Sequence, residues 1–170
     1  MVTTDGPPRR LTLIRHGETA DNRAGRFLGR RDPSLTPEGL AAAEALAGRF
    51  DLGADVVVVS SPARRALETA VAIGAATPIV DEGWRELDFG AWEGLTPEEA
   101  ARRDPEVFAA FDRGDLDGFP EGETVGAVRD RTLDALARND AERMLVVTHA
   151  TVVRVVVTAL LGLPVSTYRA

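Results

Sequence analysis

The chain has 170 residues, 44% of them hydrophobic and 28% charged, with a net charge of −7; this is the profile of one globular domain able to bury its own core. No basic stripe is left to neutralise a nucleic-acid backbone, although a locally positive pocket for a small anion stays open. There is no cysteine, so no disulfide framework or thiolate zinc site; only two histidines argue against a histidine-rich metal centre, and all 20 basic residues are arginine, which excludes a lysine nucleophile.

Met1 to Arg10 carries Gly6-Pro7-Pro8 and no apolar run, and reads as a flexible lead-in and not as a signal peptide. Leu11 to Ile14 predicts a buried strand without a polar face, running straight into Arg15-His16-Gly17-Glu18-Thr19. Ala20 to Pro33 is loop-like. Thr36-Pro37-Glu38-Gly39 starts a helix, with Thr36 as cap and Pro37 in the first position. Leu40, Ala43, Ala47 and Phe50 share its apolar face. Val56 to Val59 is a second buried strand. It ends in Ser60-Ser61-Pro62, and a helix follows from Ala63 to about Ala75 with Arg64 and Arg65 in its first turn. Cations are disfavoured at a helix N-terminus, so either an anion binds among these arginines or both are solvated.

Pro78 to Val80 predicts a short third strand, and Trp84 to Gly94 a structured loop holding both tryptophans. Thr96-Pro97-Glu98-Glu99 opens a helix that Asp104-Pro105 interrupts, with a second short helix to Phe111. Residues 95–120 are weakly periodic and charged, and read as a short helical lid insertion. Gly122-Glu123-Thr124 opens a helix to about Asn139. Met144 to Val147 is the last clear strand; it runs into Thr148-His149-Ala150 and an apolar helix that Gly162 and Pro164 end. The apolar run from Val155 to Leu163 is too short to span a membrane, and the expected location is the cytoplasm.

Strands alternating with helices predict an α/β fold, a doubly wound and mostly parallel sheet with helices on both faces, in a single domain over residues 1–170. Ligands of such sheets bind beyond the carboxyl ends of the strands. Both histidines stand at strand ends, beside Arg15 and within reach of the Ser60–Arg65 segment. Two histidines, arginines and an acid on one sheet edge describe a phosphoryl site. Guanidinium groups bind the non-bridging oxygens, a neutral imidazole attacks phosphorus, and an acid protonates the leaving oxygen and then deprotonates water. The arginines supply the positive charge, so no metal or other cofactor is expected.

Arg15-His16-Gly17-Glu18-Thr19 resembles the signature of the histidine phosphatase superfamily, the phosphoglycerate-mutase-like proteins. The resemblance continues through Asn22, Gly29, Asp32-Pro33, Leu35-Thr36 and Gly39, then Ser60-Ser61-Pro62, Arg65-Ala66 and Thr69-Ala70. It includes Arg85-Glu86, Phe89-Gly90, Trp92-Glu93-Gly94, Gly122-Glu123-Thr124 with Arg131, and Thr148-His149 with Arg154. It implies His16 as the nucleophile, Glu86 as general acid and base, and Arg15, Arg65 and His149 as phosphoryl-binding catalytic groups. Asn22, Thr19 and Gly29 are implied as further substrate contacts. Arg65, directly before Ala66, matches the family's phosphate arginine, and Arg64 does not. Asp88 and Glu93 are rival acids in the Glu86 loop. Asp21 stands where tryptophan is common, Leu28 where glutamine is, and Ala150-Thr151 where glycines are. The chain also stops before the edge strand usual at the C-terminus of this family.

The short acidic segment 95–120 and the Phe89–Gly94 loop resemble the phosphatase branch. The expected activity is metal-independent hydrolysis of a small phosphorylated metabolite through a phosphohistidine. The alternatives are a phosphoglycerate mutase-type phosphotransferase and a phospho-ligand-binding regulatory protein with little turnover. The expected partner is the small-molecule phosphomonoester, with no nucleic acid and no membrane; a homodimer is possible.

Overall fold

The computed structural model describes residues 10–139 and 141–169. The lead-in expected over Met1 to Arg10 lies outside the described residues, except for Arg10. Four parallel strands form the sheet: β1 (Arg10–Arg15), β2 (Val56–Ser60), β3 (Ile79–Val80) and β4 (Arg143–Thr148), in the order β1-β4-β2-β3. The α-helices are α1 (Ala20–Arg23), α2 (Pro37–Glu44), α3 (Arg64–Ala72), α4 (Pro97–Arg103), α5 (Pro105–Arg113), α6 (Val125–Ala137) and α7 (Ala150–Leu160). Among the described residues, no helix is long and apolar enough to cross a membrane.

Helices lie on both faces because β4 alternates. Met144 and Val146 join a core with Trp84, Leu87, Trp92, Val128 of α6 and Val152, Val155 and Val156 of α7. Leu145 and Val147 join a second core with Ala66, Ala70 and Ile73 at α3. The doubly wound α/β arrangement read from the sequence is the one observed.

The strands differ from the expectation in burial. In β1 only Ile14 is buried, because the strand has β4 on one side and no strand on the other among the described residues. In β2, Val56 to Val58 stay half-buried, since β3 pairs only at Val59 and Ser60. β4, flanked on both sides, is buried from Met144 to Thr148. Helix α2 ends at Glu44, short of Ala47 and Phe50. Leu40 is 40% exposed, and Ala43 takes the inward place against α3.

The two tryptophans are core residues. Trp92 donates from Nε1 to Asp104 Oδ2 at 2.8 Å and sits among Phe27, Phe108, Phe111 and Phe119, with ring centroids 5.4 to 5.7 Å away. Through this aromatic cluster α5 is packed onto the body of the domain.

Candidate active site

Register places the chemistry. Arg15 pairs with Thr148, and Ser60 with Val147, so the three strands end level. One residue on, His16 N–H donates to Thr148 O and Ser61 N–H to Val147 O, both at 2.9 Å. His16, Ser61 and His149 thereby leave the sheet side by side, with the two imidazole centroids 5.1 Å apart. The turn after His16 is tight for a steric reason. A Cβ on Gly17 would lie 2.7 Å from Gly39 O, and one on Gly39 would lie 2.3 Å from Glu18 O, so the two glycines let the start of α2 press against this loop. Gly17 N–H donates to Thr69 Oγ1 of α3 at 2.9 Å.

Hydrogen bonding fixes both imidazole tautomers. His16 Nδ1 lies 2.7 Å from Gly17 O, and a carbonyl can only accept, so Nδ1 carries the proton and Nε2 the lone pair. Arg65 Nε donates to that lone pair at 3.2 Å. Arg65 Nη2 also donates to His149 Nδ1 at 3.1 Å, which leaves His149 Nε2–H to donate to Ser61 Oγ at 2.8 Å. Burial, with the charges of Arg65 and Arg15, lowers the His16 pKa from 6.5 to about 3 against the opposing Gly17 hydrogen bond. His149 is held well below its ordinary value by burial, Arg65 and His16. Both imidazoles are therefore neutral at neutral pH.

Arg65 is 1% exposed. Two loop carbonyls orient its guanidinium: Nη1 donates to Arg31 O at 2.7 Å and Nη2 to Gly29 O at 2.9 Å. That loop needs Gly29, whose φ is +54° and whose Cβ would fall 2.0 Å from Glu93 Oε1. Glu93 Oε1 in turn accepts from Arg30 N–H at 2.6 Å. Arg64 points away and pairs with Glu68 at 2.8 Å. The N-terminus of α3 has no cap of its own from Ala63; Asp32 supplies one, accepting from Arg64 N–H at 2.7 Å.

A cleft of about 160 Å³ opens beside His16 and is lined by Arg15, Asn22, Glu86, Phe89 and Thr151, with Arg26, Phe27 and Leu28 at its wall. Arg15 is exposed, and its guanidinium makes no hydrogen bond or ion pair among the described residues. Glu86 is 8% exposed, and its Oε1 accepts from Leu87 N–H at 2.9 Å. Burial raises its pKa, opposed by that N–H, Arg65 and Thr151. Asn22 Oδ1 accepts from Thr19 N–H and Oγ1–H, so its amide nitrogen is left for the cleft. Thr19 is fully buried and spends its side chain capping α1, and Gly29 turns its carbonyl to Arg65. Neither of these two residues lines the cleft.

Of the residues singled out in the sequence, Arg15, His16, Asn22 and Glu86 meet in the cleft, and Arg65 and His149 lie directly behind His16. The rival acids point elsewhere: Asp88 Oδ1 accepts from Gly90 N–H at 2.8 Å, and Glu93 is engaged with the Arg30 backbone. Arg26 and Phe27 escaped the sequence reading, because nothing in a polar loop marks which of its side chains turns inward.

The family model of the histidine phosphatase superfamily (branch 1) matches residues 11–170. The chain belongs to this superfamily. A bifunctional protein of Mycobacterium tuberculosis is 38% identical over 160 residues, which are 88% of this chain and 43% of that protein. This domain thus spans less than half the length of that relative. A metal-independent phosphoserine phosphatase of Arabidopsis thaliana is 36% identical over 168 residues, covering 91% of this chain and 70% of the relative. The crystal structure of the α-ribazole phosphatase from Shigella flexneri superposes with a TM-score of 0.82 at 28% identity, covering 94% of this chain and 83% of the other. The α/β fold of this histidine phosphatase domain is the phosphoglycerate-mutase-like one.

Proposed function

We propose that the domain hydrolyses a small phosphomonoester, without a metal ion, through a phosphohistidine on His16 Nε2. The observation that carries this reading is a neutral His16 at the cleft whose single lone pair, on Nε2, accepts from Arg65, with a buried carboxyl of raised pKa in the same cleft. The phosphatase names of the relatives support it.

In the first step the Nε2 lone pair attacks phosphorus and the bond to the leaving oxygen breaks. The Glu86 carboxyl gives its proton to that oxygen, and the neutral alcohol departs. Arg15 and the Nε–H of Arg65, released from His16, take the non-bridging oxygens. In the second step the Glu86 carboxylate removes a proton from water as its oxygen attacks phosphorus. The P–N bond breaks, its electron pair returns to Nε2, and phosphate leaves. Asn22 and His149 are further contacts for the transferred group, and Thr19 and Gly29 act on it through Asn22 and Arg65. The segment 95–120 reaches the cleft wall through one ion pair, Arg26 to Glu99 at 2.8 Å.

Trapping the intermediate by a detergent stop at alkaline pH, where a P–N bond survives, and its loss on acid treatment test the reading. Incubation with a ³²P-labelled monoester in EDTA should leave label on His16 and release inorganic phosphate at an undiminished rate. The same protein should not interconvert 3- and 2-phosphoglycerate efficiently, even when primed with the bisphosphate. Loss of turnover in EDTA with recovery in Mg²⁺, or mutase turnover matching the best hydrolysis, would reject it.

A further inference from the structure

The Glu86 carboxyl is hydrogen-bonded at its tip by Leu87 N–H and by the side chain and backbone of Thr151, at the start of α7. The backbone that carries it, residues 81–88, is loop apart from one short 3₁₀ turn at Glu82–Trp84, and its place is set by contacts from outside the segment. That segment lies against α6 and the turn before it. Arg131 of α6 forms a two-pronged pair with Glu123, Nε to Oε1 at 2.7 Å and Nη2 to Oε2 at 3.0 Å. The same guanidinium donates from Nη1 to Gly83 O at 2.7 Å and from Nη2 to Glu86 O at 3.2 Å. Glu123 completes the clamp: its Oε2 accepts from Asp88 N–H at 3.3 Å, and its own N–H donates to Asp88 O at 3.0 Å.

One ion pair thus holds the peptide groups of Gly83, Glu86 and Asp88, on both sides of the acid. The pair is mostly shielded, at 20% and 16% side-chain exposure, where a charge-assisted fork is both directional and costly to break. The close approach is built in, since a Cβ on Gly83 would meet Ala135 Cβ at 2.6 Å and Arg131 O at 2.9 Å. Neither Arg131 nor Glu123 lines the cleft. From this we infer that the Arg131–Glu123 pair is a positioning device for Glu86, acting on proton transfer through the backbone without touching substrate. The inference rests on the reading of Glu86 as general acid and base.

Its test separates proton transfer from phosphate binding. Single-turnover phosphoryl transfer is measured for an alkyl phosphate, whose leaving oxygen needs a proton, and for 4-nitrophenyl phosphate, whose leaving oxygen hardly does. Inhibition by vanadate reports the phosphoryl pocket. Arg131→Gln should slow alkyl transfer by about 10- to 100-fold, a part of the 10²–10⁴ that a placed general acid supplies. Aryl transfer and vanadate affinity should stay within about threefold, because His16, Arg65 and His149 are held by contacts that do not involve Arg131. Arg131→Lys keeps the charge but not the fork. It should show the same selectivity in weaker form, and it keeps the test open if the glutamine variant does not fold. A purely structural role would lower alkyl rate, aryl rate and vanadate affinity together, and that result, or no change at all, overturns the inference. Glu86→Gln is the reference. If it shows the alkyl-selective loss and both Arg131 variants do not, the positioning inference alone fails. If Glu86→Gln itself lacks it, the assignment of Glu86 fails and the inference falls with it.

Discussion

His16→Ala should abolish turnover of every phosphomonoester the domain accepts, by about 10⁴- to 10⁶-fold, the scale on which deleting a covalent nucleophile acts. Two features make the effect this large. The Nδ1–H bond to Gly17 O dedicates Nε2 to attack, and burial with two neighbouring cations keeps the ring unprotonated at any pH above about 3. His149 cannot take over, because its Nδ1 accepts from Arg65 and its Nε2–H is committed to Ser61. Phosphate or vanadate should still bind, since Arg15, Arg65 and His149 remain. Steady-state hydrolysis with a matched thermal melt checks this. Activity within tenfold of the unaltered protein, or a phosphoryl label on His149, would remove His16 from its role.

The second large effect is Glu86→Gln. Transfer from an alkyl phosphate should fall by about 10²–10⁴-fold, and transfer from an aryl phosphate far less. Breakdown of the phosphohistidine should slow for both, because the amide cannot accept a proton from water. The sign of the pKa shift supports the assignment. From the sequence the outcome was open: burial raises a carboxyl pKa while nearby arginines lower it, and in the structure burial wins. The acid form of Glu86 thus persists to higher pH than that of an ordinary glutamate, and the basic limb of the alkyl-phosphate profile should report its loss. Equal slowing of both substrates, or the leaving-group effect appearing in Asp88→Asn, would show that another group carries the proton.

The strand-end positions of His16 and His149 were legible because they depend on local pattern and on the level at which parallel strands stop; the choice of Arg65 over Arg64 came from the family resemblance alone, since the residues themselves left both open. Arg65 and Arg64 are adjacent on a helix, so only one can turn to the sheet. Burial of β1 and β2 was overestimated, since an apolar run does not reveal whether a strand has one neighbour or two. The clamp on Glu86 was not legible at all. Glu123 and Arg131 stood in the sequence as motif residues without a role. What they do depends on peptide groups some 45 positions away in Arg131's case, and on carbonyl directions that carry no side-chain signature.

The shared guanidinium between the two histidines has a consequence for folding itself. An unfolded chain takes up a proton on each imidazole as pH falls past about 6.5. The folded chain does not, because both pKa values are depressed, that of His16 to about 3. Each such histidine makes the domain less stable with acidification, by up to about 1.4 kcal/mol per pH unit within that window. Glu86 acts in the opposite sense: its raised pKa means that the folded state gains a proton first, which returns part of the loss. Glu93, whose pKa burial also raises, acts with Glu86, whereas Glu123, which burial pushes up but Arg131 holds below its ordinary value, acts with the two histidines. A phosphate anion bound to the same arginines adds stability by mass action. An acid titration followed by circular dichroism should therefore show the domain unfolding at lower pH with phosphate than without it.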